Sequence, residues 1–169
     1  MDILSLYWTE EFRKEMRNSK SFETVADVAI KVVKTMPRPV YGISAPYTTG
    51  GFGLENNTKI IEACILELSS YELNIFNFLP LEAGISPLKA EWEKNNIGYC
   101  SPILNITYKK IFKYGNFKAV WRTSNWYTSE GCDKEDKIFR SLNIPIYSFP
   151  EIRFKQILEG LKLPEVVSV

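Results

Sequence analysis

Histidine is absent from the 169-residue sequence. Serine–histidine–aspartate and cysteine–histidine nucleophile systems are thereby excluded, as are metal sites that need imidazole. Cysteine is scarce. Cys64, Cys100 and Cys132 are far apart, odd in number and form no C-x-x-C pair, so neither a disulfide framework nor a four-thiolate metal site is expected. No metal and no cofactor is expected, and a reducing, cytoplasmic interior is the expected home. No G-x-x-x-x-G-K-[ST] loop is present, which argues against a P-loop nucleotidase. No run of about 18 apolar residues occurs, so no membrane span is expected. Lys plus Arg total 21 against 20 Asp plus Glu, a balance that gives no support to a nucleic acid polymer or an acidic membrane as partner. The opening residues carry Glu10, Glu11, Arg13, Lys14, Glu15 and Arg17, which a secretory leader would not tolerate.

What remains is carboxylates, hydroxyls, amides and aromatics on a chain that is 45% apolar and 24% charged. That composition and length suit one globular domain with a short appendage, burying roughly 70% of the surface of the unfolded chain. The periodicity predicts a charge-rich helix over 9–20, with Trp8, Phe12 and Met16 at four-residue spacing, and a second over 22–35 with Val25, Val28, Ala29, Val32 and Val33 on one face. Met36-Pro37-Arg38-Pro39 ends it. Strands are predicted over 40–45, 73–79, 117–123 and 144–148. Helices are predicted over 54–71, 87–95, 102–114, from about 131 to 142, and up to 161. Ser148-x-x-Glu151 has the spacing of a capping box for the last of these.

Alternating strands and helices imply right-handed βαβ units and a parallel sheet. The expected fold is α/β, a doubly wound, flavodoxin- or Rossmann-like sheet of four or five mainly parallel strands in order 2-1-3-4. Residues 1–36 are expected to form a helical extension and 37–169 the α/β domain. In that order the switch point lies between the first and third strands, where open sheets bind ligands beyond the carboxyl ends. The loops there are 46–53, with Gly50, Gly51 and Gly53, and 124–131, with Trp126, Tyr127, Ser129 and Gly131. The glycines let a ligand approach backbone N–H groups. Ser129-x-Gly131-x-x-x-Glu135 crosses a strand-to-helix transition and sets Glu135 about one turn into the helix. A carboxylate there can serve as nucleophile or base, or simply complement the helix dipole. Cys132 lies at a helix start, where thiol pKa values fall, but without histidine a nucleophilic role is not expected of it.

Ile43-Ser44-Ala45-Pro46-Tyr47, Gly50-Gly51 and Asn57, then Asn77-x-x-Pro80, then Asn125-Trp126-x-x-Ser129-x-Gly131-x-x-x-Glu135 resemble, in order and spacing, the nucleoside 2-deoxyribosyltransferase-like superfamily, which includes 2′-deoxynucleoside 5′-monophosphate N-glycosidases. The likeness runs from about Val40 to Phe149. It implies a pocket for a nucleoside or nucleotide and cleavage or transfer of the N-glycosidic bond, with Glu135 attacking the anomeric carbon and Tyr47 orienting it. It further implies substrate contacts from Ser44, Gly50, Gly51, Asn57, Trp126, Ser129 and Gly131, with Ser129 holding a 5′-phosphate. Trp126 and Tyr127 can stack on the base or cap the sheet edge. The family resemblance also suggests a homodimer or larger homo-oligomer. The sequence departs from the pattern in one respect: Gly98 to Asn116 contains no Asp or Glu, where such proteins usually bring a second acid. Asn105 or Tyr108 occupies that neighbourhood, and Glu130 or Asp133, which flank the glycine, read as solvated charges before they read as substitutes. A nucleotide-binding protein without catalysis is the alternative this departure suggests.

Overall fold

The computed structural model describes residues 3–165. The chain divides into two compact units, one made of the residues up to Pro37 with Phe78–Asn116, the other of Arg38–Asn77 with the residues from Phe117 onward. The first is helical. It contains α1 (Glu10–Arg17), α2 (Phe22–Thr35), α4 (Glu82–Glu93) and α5 (Lys109–Tyr114), with a π-helical segment over Ile103–Tyr108 leading into α5. The apolar stripe of α2 is buried throughout, and Trp8 and Met16 are buried with it. A true capping box opens α2: Ser21 Oγ accepts from the Thr24 N–H while the Thr24 hydroxyl oxygen accepts from the Ser21 N–H. The stripe finds its partners in α4, α5 and the π segment, which bring Ile85, Leu104, Ile111 and Phe112. Gly84 lets α4 close on α1 and α2, since a Cβ there would stand 2.8 Å from Met16 Sδ and 2.9 Å from Val25 Cγ2. The N-terminal helices thus share a core with residues 78–116, a segment the sequence reading assigns to the α/β domain.

The second unit holds the sheet. Strands β1 (Val40–Ser44), β2 (Asn74–Ile75), β3 (Phe117–Arg122) and β4 (Ile146–Ser148) are all parallel, in the order β2-β1-β3-β4. That is the expected order, with four strands among the described residues. Its helices are α3 (Leu54–Ser69), α6 (Glu130–Ser141) and α7 (Glu151–Gly160). Ile61, Cys64, Ile65 and Leu68 form the buried face of α3, and α7 packs against that helix through a core that includes Phe154 and Leu158.

Three local expectations are corrected. The predicted strand 73–79 shortens to Asn74–Ile75; the Phe76 N–H still bonds to the Tyr41 carbonyl at 2.9 Å, and a 3-10 turn over Leu79–Leu81 leads into α4. That helix starts at Glu82 and contains Pro87 as the sixth of its twelve residues, where the missing N–H removes a single intrahelical bond. Ser148 caps nothing: the chain stays extended through Phe149, whose N–H bonds to the Arg122 carbonyl at 2.8 Å, and Pro150 is the N-cap of α7 with no side-chain bond.

Candidate functional site

Ser44 closes β1 and is buried. Its hydroxyl donates to Glu135 Oε2 at 2.7 Å, joining residues 91 positions apart. The link follows from the topology. In a parallel sheet with β1 beside β3, the loop leaving β3 starts next to the end of β1, and α6 follows directly. Glu135 is the sixth residue of α6 and retains partial exposure, yet protein crowds its carboxyl. Burial pushes the Glu135 pKa up to about 7, against the opposing pull of the Ser44 hydrogen bond and the Arg122 charge. Near neutral pH this carboxyl is therefore present in both protonation states.

Arg122 ends β3. Its Nη1 donates to Asp136 Oδ1 at 2.7 Å, its guanidinium lies 4.3 Å from the centroid of the Trp126 ring, and Asp136 also accepts from Arg140 Nε at 2.5 Å. The Arg140 bond first, with Arg122 assisting, holds the Asp136 carboxyl below its ordinary range. Trp126, named for base stacking or edge capping, thus packs on an arginine.

The two loops hold each other. Thr49 Oγ1 and Ser129 Oγ are 2.9 Å apart, and the Gly51 N–H donates to Thr128 Oγ1 at 2.9 Å. Thr128 Oγ1 in turn donates to the Asn125 carbonyl at 2.8 Å. Gly50 and Gly51 adopt φ of 69° and 61°, and a Cβ on Gly50 would stand 2.1 Å from the Thr128 carbonyl oxygen. The glycines therefore allow backbone to approach backbone, and the Gly51 N–H expected to face a ligand is used between the loops. Asn57 likewise belongs to the loop. It is buried, its Oδ1 accepts from the Phe52 N–H at 2.9 Å, and its Nδ2 donates to the carbonyls of Tyr47 at 2.8 Å and Gly50 at 3.1 Å. Both amide hydrogens are spent, so Asn57 fixes the shape of 46–53 instead of reading a substrate. Tyr47 is half-buried in that same loop.

Ser129 is the N-cap of α6, its Oγ accepting from the Cys132 N–H at 3.4 Å, and Gly131 is the second residue of that helix. A Ser129→Ala variant is expected to lose about 1 kcal/mol of stability from the cap alone, measurable by urea denaturation. The expectation of a lowered thiol pKa at Cys132 is overturned. Burial and then the neighbouring Glu135 charge push it up to about 12, and a helix N-terminus does not compensate for that desolvation. Glu130 and Asp133 pair with Lys134 at 3.2 Å and Lys137 at 3.6 Å on the outer face of α6, ordinary solvated i,i+4 pairs. Asn105 and Tyr108 lie in the helical unit, where Tyr108 stacks on Phe78 with centroids 5.3 Å apart.

No family model, curated protein or solved structure matches this chain. The case for a site therefore rests on the geometry. Among the described residues no group of three or more Cys, Asp and Glu side chains could hold a metal ion, and no helix is long and apolar enough to cross a membrane. The sequence reading missed Arg122 and the two threonines that tie the loops, and named Asn125 within a motif without giving it a role. The available signal was an arginine on the last residue of a strand at the switch point, followed by a run of hydroxyl and amide residues.

Proposed function

We propose that this chain binds a nucleoside or nucleoside 5′-monophosphate at the carboxyl ends of β1 and β3, in a doubly wound, Rossmann-like fold, and cleaves or transfers its N-glycosidic bond. The observation that carries this reading is the Ser44–Glu135 contact at 2.7 Å. It joins the two motif segments that resemble the deoxyribosyltransferase-like proteins and centres them on a carboxyl with a pKa near 7. In the proposed reaction the ionised Glu135 forms a bond to the anomeric carbon as the bond to the base nitrogen breaks. The electron pair leaves with the base, which takes a proton from solvent. Water, or a second base, then attacks the same carbon and releases the carboxylate. Ser44 keeps one Glu135 oxygen fixed, and the Arg122 charge favours the ionised form.

The test is purified protein with a panel of deoxynucleosides and their 5′-monophosphates, free base being followed by chromatography. Base release that disappears in Glu135→Gln supports the assignment, and release that persists unchanged removes Glu135 from the mechanism. A second reading, nucleotide binding without turnover, is favoured by the acid-free stretch Gly98–Asn116 and by the solvent-facing pairing of Glu130 and Asp133. It expects a saturable thermal shift with nucleotide and no free base. A homo-oligomer belongs to the same proposal, and light scattering that reports a monomer at working concentration would contradict that part.

A further inference from the structure

Four buried side-chain nitrogens among the described residues have no hydrogen-bond partner, and three of them fall within one stretch at the end of β3: Arg122 Nε, Arg122 Nη2 and Asn125 Nδ2. The fourth, Trp121 Nε1, belongs to a side chain that strand alternation directs to the other face of β3, where it meets Tyr147 edge to face. Buried donors are nearly always satisfied, and an orphaned charged one is the costliest kind, so a cluster of three at a strand's carboxyl end calls for a ligand atom.

The chemistry of the cluster is specific. Only 10% of the Arg122 side chain is exposed. Asp136 occupies Nη1, and the Trp126 ring covers a face of the guanidinium. What is left is the Nε–Nη2 edge, whose two N–H bonds run parallel at the spacing of two oxygens on one carboxylate or phosphate. Asn125 has its Oδ1 tied to the Thr123 hydroxyl at 2.8 Å, which fixes the amide with its Nδ2 donor unused. Asp136 is shared between two guanidiniums, those of Arg122 and Arg140, and the positive charge this leaves is reduced by Glu135, whose carboxyl the Arg122 charge also reaches.

We propose that the Nε–Nη2 edge of Arg122, together with Asn125 Nδ2, is a binding site for a two-oxygen anion, a carboxylate or phosphate group of the ligand. The site goes beyond the glycosidic reading and is read from binding alone, so an absence of base release leaves it standing. It also assigns the anion to the end of β3 instead of to Ser129, whose hydroxyl is engaged with the α6 cap and with Thr49.

The test uses the wild-type protein. The Arg122 side-chain Nε–H resonance, assigned through bonds, is followed while inorganic phosphate or acetate is titrated at constant ionic strength held with chloride. The expected result is a saturable shift with phosphate or acetate and none with chloride alone. Arg122→Lys keeps a cation for Asp136 but loses the edge, and is expected to weaken the same anion about ten- to a hundredfold by calorimetry. A third arm compares a deoxynucleoside 5′-monophosphate with inorganic phosphate. Tighter binding of the nucleotide assigns the anion to a nucleotide phosphate, whereas equal binding assigns it to a free oxyanion, and both support the site. An Arg122 resonance unmoved by tens of millimolar phosphate and acetate overturns the proposal, with no dependence on whether the variant folds. So does equal affinity in a folded Arg122→Lys.

Discussion

Glu135→Gln is expected to abolish base release and, at the same time, to make the protein more stable above neutral pH. Glutamine keeps the size of the side chain and an oxygen to accept the Ser44 hydroxyl, but cannot attack an anomeric carbon. Loss of a covalent nucleophile is worth about a thousandfold or more in turnover. The stability change has the opposite sign because burial raises the Glu135 pKa from an ordinary 4.5 to about 7. Between those two values the folded chain holds a proton that the unfolded chain has released, so stability falls as pH rises through that window. Above pH 7 the wild type carries the full cost of a crowded carboxylate, on the order of 1–3 kcal/mol after allowance for its partial exposure. Thermal melts are expected to place Glu135→Gln several degrees above wild type at pH 8 and close to it at pH 4.5. In the wild type, base release is expected to rise about tenfold per pH unit up to pH 7 and then level off, as the nucleophile ionises. A stability gap that does not widen with pH would show that the carboxyl is not desolvated as described.

Gly50→Ala is expected to cost about 2–5 kcal/mol and to separate the two loops that frame Glu135. A Cβ at Gly50 meets backbone on every side it faces: the Thr128 carbonyl oxygen at 2.1 Å, its carbon at 2.4 Å and the Ser129 nitrogen at 2.8 Å. None of these can swing away as the end of a side chain does, and φ of 69° adds left-handed strain of about 1–2 kcal/mol. Gly53 supplies the control. Its backbone, at φ 84° and ψ 160°, is one that side chains rarely adopt, yet nothing lies within 4 Å of its Cβ position, so Gly53→Ala is expected to cost only the backbone strain, about 1–3 kcal/mol. Urea denaturation of the two variants separates steric contact from conformational strain, and equal losses would mean that the loops are not packed as described. In the Gly50 variant the Thr49–Ser129 and Gly51–Thr128 bonds are expected to be lost first, since they lie on the displaced backbone.

Helices α2, α3 and α6 and the parallel order of the strands were legible because each depends on information a few residues long. The i, i+3, i+4 spacing of Val25, Val28, Ala29, Val32 and Val33, the prolines at 37 and 39, and the glycine loops after the first and third apolar strands leave few arrangements open. The Ser129-x-Gly131-x-x-x-Glu135 spacing likewise placed Glu135 on the first turns of a helix at the switch point. Its Ser44 partner and its crowding were not legible, because hydrogen bonding across 91 residues and removal of water are set by what packs nearby and not by sequence neighbours. The same cause separates Cys132 from its expectation. Helix position alone argues for a lower pKa, and desolvation, a property of the whole surrounding shell, reverses it. Asn57 reads equally well as a ligand contact or a loop clamp until its three partners are known. The strand 73–79 shortened for a related reason: an apolar run suits a strand or a buried turn alike, and from Leu79 the chain takes a 3-10 turn. Residue type and spacing therefore set the elements and the end of the sheet where chemistry can occur. The charge state of each group there, and which donors remain unpaired, came only with the tertiary structure, since both depend on how much water and which distant partners the fold leaves around each atom.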